Sequence, residues 1–220
     1  MEIKILASKK HVFWQAFFLT VLFFSLGLVF GVYVEQLRED SLSVTFYNSE
    51  TSLYDAFALG NLIGENISCN ELMDAHINFA DKIYEEAREL EKFDEANKLT
   101  ESVKVIHKKY DLLRTLLWMN VISLREKCPE VNSVVYLYIY DSDDVYIKSN
   151  QIVWSRILQD LKEEKSDSII LIPIAVNQDI SSLDYLLKKY GVKNYPAVII
   201  NGKNIIYSFE TAEELENYLD

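Results

Sequence analysis

The first long apolar run is residues 12–34, VFWQAFFLTVLFFSLGLVFGVYV, which holds no charged residue and one strongly polar side chain, Gln15. As a helix it would span about 34 Å, against a hydrocarbon core of roughly 30 Å. It would also satisfy its own backbone hydrogen bonds, as lipid requires. The run therefore reads as a transmembrane helix with residues 1–11 ahead of it. A cleavable signal would be shorter and would end in a small-x-small site, which Val32, Tyr33 and Val34 do not offer. Lys9, Lys10 and His11 precede the run, and Glu35, Arg38, Glu39 and Asp40 follow it. The preference of cations for the inner side places the N-terminus in the cytoplasm and residues 35–220 outside it, in a single-pass cell-membrane topology. Gly27 and Gly31 form a small-xxx-small pair on which two such helices could approach as a homodimer. Glycine is also simply common in membrane helices.

Residues 35–66 carry a weaker pattern and read as a connecting segment, with one short helix capped by Ser49, running through Leu62 and ending near Gly64. The signal sharpens at Ser68-x-x-Glu71, a capping box. Leu72, His76, Phe79, Ile83 and Leu90 then form a stripe, with Met73, Ile77, Ala80, Tyr84 and Ala87 beside it. A second stripe holds Leu99, Val103, Ile106, Tyr110, Leu113, Leu117 and Leu124, broken at Asn120. Steps of three and four mean helices with broad apolar faces. Residues 67–129 thus predict an antiparallel helical hairpin.

Cys69 opens the first arm and Cys128 closes the second, just before Pro129. Equal arms, turning at Asn97–Thr100, would bring both cysteines to one end. A turn at Phe93-Asp94 would offset the arms by roughly 15 Å, beyond the reach of a disulfide. The bridge and the turn are therefore one linked expectation, and the alternative is two unpaired thiols packed among helices. In an oxidising compartment the bridge would persist. Asn66-Ile67-Ser68 is a glycosylation sequon, with Asn66 the acceptor on the outer side.

From Ser133 the period changes. VVYLYIY (134–140) and IILIPIAV (169–176) read as buried strands, separated by an amphipathic helix near 149–164. Ser181 or Ser182 starts a helix ending at Gly191. AVII (197–200) and NIIY (204–207) flank Asn201-Gly202, a tight-hairpin signal, and Thr211-x-x-Glu214 caps a last helix. Two long apolar strands joined by a helix predict a parallel, right-handed crossover.

This order of elements, together with Tyr190-Gly191-Val192 and Tyr195-Pro196-Ala197-Val198-Ile199-Ile200-Asn201-Gly202, resembles the thioredoxin-like family over residues 133–220. The resemblance implies an α/β thioredoxin-like domain with a cis bond before Pro196. It also implies a loop at Tyr195, Pro196 and Ala197 that lies against an extended peptide. The family's redox thiols would fall within Asp143–Ile147, where this chain has Asp143, Asp144, Val145, Tyr146 and Ile147. Disulfide exchange needs a thiolate, which carboxylates and phenols cannot replace.

The whole chain has 220 residues and a net charge of −12. Residues 1–34 carry three lysines against Glu2, and removing that +2 from −12 leaves −14 on the remainder. Such a body repels phosphate backbones, so no nucleic-acid partner is expected. His76 and His107 lie on opposite arms with too few companions for a metal site, and Asp141–Asp144 lacks calcium-loop spacing, so neither a metal nor a cofactor is expected. The reading that results is a bilayer-anchored, extracytoplasmic module that binds protein or peptide and is not an enzyme. The alternatives are an oxidoreductase working through Cys69 and Cys128, and a structural subunit of a membrane assembly.

Overall fold

In the computed structural model, which describes residues 9–61, 68–96 and 101–219, an N-terminal apolar helix is followed by further helices and a small mixed sheet. The order is α1 (Lys9–Asn61), α2 (Cys69–Ala96), α3 (Glu101–Lys127), β1 (Asn132–Tyr138), α4 (Val145–Lys165), β2 (Ile169–Ala175), α5 (Ser181–Tyr190), β3 (Ala197–Ile200), β4 (Asn204–Ile206) and α6 (Ala212–Glu216). The chain divides into two units, Met1–Thr45 and Phe46–Asp220.

The first unit contains a stretch, His11–Leu37, with mean hydropathy 2.4 and none of it buried, long and apolar enough to cross a membrane. Near its start Trp14 stacks on Phe18 at 5.7 Å and meets Phe17 edge-on at 5.9 Å. Aromatic rings of this kind are enriched at membrane–water interfaces. Helix α1 does not stop where the apolar run stops. No glycine or proline interrupts residues 32–59, so nothing in the backbone ends it. The expected connecting segment with a separate short helix is instead a continuation of α1, and Ser49 lies within the helix rather than capping one.

In the second unit the end of α1 packs on α2. Leu53 and Ser49 are fully buried, the Ser49 hydroxyl donates to Glu86, and Lys82 donates to Ser52 Oγ at 3.0 Å. Glu86 also accepts from Tyr110 of α3 at 3.2 Å, so one carboxylate joins three helices. Cys69 is bonded to Cys128, His76 meets Asn120, and Glu86 meets Tyr110. Partners on α3 thus fall in number as those on α2 rise, which makes the pair antiparallel. The expected turn at Asn97–Thr100 and the segment holding Leu62, Gly64 and Asn66 lie outside the described residues. The capping box forms: Glu71 accepts from Ser68 N at 2.9 Å, and Ser68 Oγ accepts from Glu71 N at 3.3 Å.

The sheet runs β2-β1-β3-β4, with β1 and β2 parallel and β3 antiparallel to both β1 and β4. Along the strands, side chains alternate between two faces. Val134, Tyr136, Ile169, Val198 and Ile200 pack with Trp154 and Leu158 of α4, with Phe209 and with Leu215 of α6. Helix α5 ends at Gly191, whose φ of 70° suits a residue without Cβ, and Val192 N donates to Leu187 O at 3.0 Å. The helix starts at Ser181, one of the two expected starts, and that start carries no side-chain cap. Asn201 and Gly202 take φ of 57° and 66°, as tight hairpin turns require. Asn201 does more than turn the chain. Its Oδ1 accepts from Ser133 N and from Arg125 Nη1, each at 2.8 Å, tying the end of α3 to the start of β1.

The helical hairpin lies along β2. Val176 N donates to Tyr138 O, so the alternate groups at 169, 171, 173 and 175 point away from β1. Pro173 sits at one of these outward positions, where a missing N–H costs no ladder bond. Ile169 O accepts from Lys162 Nζ at 3.3 Å. Ala175 N donates at 3.1 Å to Asp111 of α3, a carboxylate only 2% exposed that also takes Arg114 Nη1 at 3.2 Å. Burial pushes the Asp111 carboxyl up, and the Arg114 guanidinium and the Ala175 amide pull against it. On the far face Trp118 of α3 stacks on Tyr190 of α5 at 5.3 Å.

Asp111→Ala would remove the carboxylate from a buried guanidinium and a buried edge N–H. A loss of about 3–5 kcal/mol is expected in chemical unfolding of the full chain in nanodiscs. A loss under about 1 kcal/mol would mean that the seam does not depend on this carboxylate.

His76 is fully buried between the arms. Its Nδ1–H donates to Leu72 O at 2.7 Å and its Nε2 accepts from Asn120 at 3.0 Å. This contact accounts for the break that Asn120 makes in the apolar stripe. Burial, only partly offset by the Leu72 carbonyl, pushes the imidazole down from its ordinary value of 6.5. The folded state therefore binds the proton less readily than the unfolded chain does. Stability from this site is complete above about pH 6.5 and is lost as pH falls from there through the lower folded value. His76→Gln should flatten that part of the stability-versus-pH curve, and an unchanged slope would remove His76 as its source.

Candidate binding surfaces at the strand ends

Leu137 pairs with Ala197, and Tyr138 with Ala175. The carboxyl ends of β1 and β2 and the start of β3 therefore share one edge of the sheet, the edge where open α/β sheets place their ligands. Two side-chain amides fix the loop that follows β1. Gln151 accepts from Ile139 N at 2.8 Å and donates to Ile139 O at 3.0 Å. Asn177 accepts from Tyr140 N and donates to Tyr140 O, both at 2.8 Å. Each amide thus replaces a strand neighbour for one residue of loop.

Helix α4 starts four residues earlier than its apolar periodicity predicts. Asp144 caps it, accepting from Tyr146 N at 2.8 Å and Ile147 N at 3.3 Å, while Ser142 Oγ accepts from Asp144 N at 3.2 Å. The acidic stretch is thus a loop whose last residue, Asp144, is the cap on which the helix starts. Val145 and Tyr146, in the first turn, are 77% and 79% exposed.

Across the edge, the Tyr195–Pro196 peptide is cis. Pro196 and Ala197 are buried and Tyr195 is half-buried. A hollow of about 320 Å³ lies beside Tyr195, lined also by Asp184, Leu187, Lys188 and Lys193. Lys193 N donates to Tyr207 OH at 3.1 Å. Burial first, then the charges of Tyr207 and Asp184, push the Tyr195 phenol up, which keeps it a neutral hydrogen-bonding group.

A larger cleft of about 450 Å³ opens between α2 and α4 over the α4 face of the sheet. Tyr136, Tyr138, Leu171 and Pro173 form its floor, and the Ile139–Ser142 loop closes one end. Tyr136 and Tyr138 stack at 5.5 Å, and Tyr136 OH donates to Gln151 O at 3.3 Å. Burial pushes the Tyr136 phenol up.

The other sequence-derived candidates fall elsewhere. Cys69 and Cys128 form a disulfide with Cα atoms 5.7 Å apart, joining the start of α2 to the residue after α3. Among the described residues, the one cluster with ligand spacing for a metal is Cys69, Cys128 and Glu130, and its sulfurs are bonded to each other. Gly27 and Gly31 lie in α1 with open space around the positions a Cβ would take. Sequence reasoning missed Asn177 and the tyrosine cleft, whose residues come from α2, α3, β1, the loop after it, α4 and β2 and carry no local motif. The chain matches no family model and no curated protein.

Asn177→Ala would leave the Tyr140 N–H and C=O without their clamp. Amide exchange at Ile139–Tyr140 is expected to speed up about tenfold, with a stability loss of about 1 kcal/mol. Unchanged exchange there would assign the loop's order to other contacts.

Proposed function

We propose that the chain is a single-pass membrane protein whose outer part is a thioredoxin-like module without redox chemistry, serving to bind an extended protein or peptide segment. The observation that carries this reading is the juxtaposition at the sheet edge. A cis-proline loop at Tyr195–Pro196 stands across from a helix start that offers Asp144, Val145 and Tyr146 in place of thiols. The strand order β2-β1-β3-β4, with a parallel first pair, supports the likeness to that family. The chain's two cysteines support the non-catalytic reading, because both are held in a bridge between helix ends. Lys9 and Lys10 before the span and acids after it support a cytoplasmic N-terminus with residues beyond the span outside. Backbone groups beside a cis proline would pair with an extended peptide by strand addition, and the exposed Tyr146 and Val145 would meet its side chains.

The test is selection of a displayed random-peptide library on the full chain in nanodiscs. Enriched peptides should lose at least about tenfold in affinity on Tyr195→Glu combined with Tyr146→Ala. In the same preparation, the chain should not speed insulin reduction by a small thiol. Peptides that bind the double variant equally well would overturn the cis-proline site. Turnover that vanishes with Cys128→Ser would instead establish the oxidoreductase.

A further inference from the structure

The cleft between α2 and α4 has a composition that neither the fold nor the peptide-binding reading requires. Five cationic side chains and two anionic ones line it, in a chain whose net charge is −12. Two of the cations are engaged: Lys162 with Asp81 at 3.2 Å, and Arg114 with Asp111. Arg88, Lys148 and Arg156 form no ion pair among the described residues. Lys148 and Arg156 lie eight residues apart on α4 and so share one face of it, with Ile152 between them. The acids of α4, at Asp160, Glu163 and Glu164, are absent from the lining.

Stability does not explain this placement. The first turn of α4 holds no acid and does hold Lys148, at the helix end where the dipole disfavours a cation. A surface that only needed to be soluble would interleave its signs, as the rest of this acidic chain permits. Beneath the cations the floor is aromatic, with the Tyr136–Tyr138 stack and Pro173 opposite Tyr136. A volume of about 450 Å³ lies within the range of small-molecule sites.

We propose that this cleft binds a small organic anion, one with a planar or apolar body that rests on the tyrosine floor and a phosphate or carboxylate held by Arg88, Lys148 and Arg156. Its lining shares no residue with the hollow beside Tyr195, and the proposal does not depend on peptide binding there. The cations focus a positive potential in an otherwise negative molecule, which draws an anion in and excludes neutral analogues. The tyrosine floor distinguishes an aromatic anion from a bare inorganic one.

The experiment is calorimetric titration of the full chain in nanodiscs of zwitterionic lipid, with empty discs as the blank. The probes are phenylphosphonate, inorganic phosphate and neutral benzyl alcohol. Phenylphosphonate should bind at least about tenfold more tightly than either other probe, and the advantage over benzyl alcohol should shrink with added salt. Lys148→Glu with Arg156→Glu should weaken phenylphosphonate at least about tenfold. The Glu at 148 suits the helix N-terminus, so lost binding would not reflect lost fold. Three results would each overturn the proposal: no binding by about 10 mM, equal binding of benzyl alcohol, or a double variant within about twofold of the parent.

Discussion

An edge strand with unpaired backbone groups is a standing hazard, and the second unit of this molecule is arranged around covering one. β2 has β1 on one side only. On its other side Asp111 accepts the outward amide of Ala175, and Lys162 reaches the outward carbonyl of Ile169. A buried carboxylate is costly unless it is hydrogen-bonded and paired, and Asp111 is both. The helical hairpin is therefore part of the same packed body as the sheet. The opposite edge, β4, needs no such cover because it is only three residues long.

That docking makes the cleft. Its α4 wall and tyrosine floor belong to the sheet's own layer, but its second wall, with Arg88 and Tyr84, comes from the hairpin. Whatever holds the hairpin on β2 also holds the cleft open at its present width. The disulfide contributes at a distance. It fixes the start of α2 against the end of α3, and Arg125 and Asn201 then fix the end of α3 against the start of β1. In the chain-entropy description a bridge closing 59 residues is worth roughly 4 kcal/mol, drawn from the freedom of the unfolded chain.

The local parts of this arrangement were legible in the sequence. Ser68-x-x-Glu71 and Thr211-x-x-Glu214 announce helix starts, Asn201-Gly202 announces a hairpin, and the two apolar runs announce a parallel pair. The symmetric placement of Cys69 and Cys128 linked the bridge to the hairpin's geometry. What was not legible depends on contacts between distant segments. The extension of α1 through Ser49 rests on packing against Glu86 and Lys82, which no pattern in residues 35–61 reveals. Asp111 reads as an ordinary polar position on a helix until β2 lies beside it. The start of α4 was misplaced because periodicity marks the apolar face, whereas the helix begins at its cap, Asp144, in a turn whose side chains are exposed.

Asn120 shows how a flaw in a pattern carries information. Asn120 is half-buried in an apolar stripe, and a polar group taken from water without a partner is costly. The stripe on α2 has a matching flaw, His76, and the antiparallel register of the hairpin sets the two side by side. Two polar residues that would each destabilise a core alone satisfy one another, with the Leu72 carbonyl completing the imidazole. A hairpin sliding by one turn would separate them and leave both unpaired inside the helix pair. The disulfide fixes register at one end, Glu86 and Tyr110 fix it further along, and the His76–Asn120 pair penalises every other alignment between. Polar flaws in facing stripes thus specify register as a purely apolar seam would not.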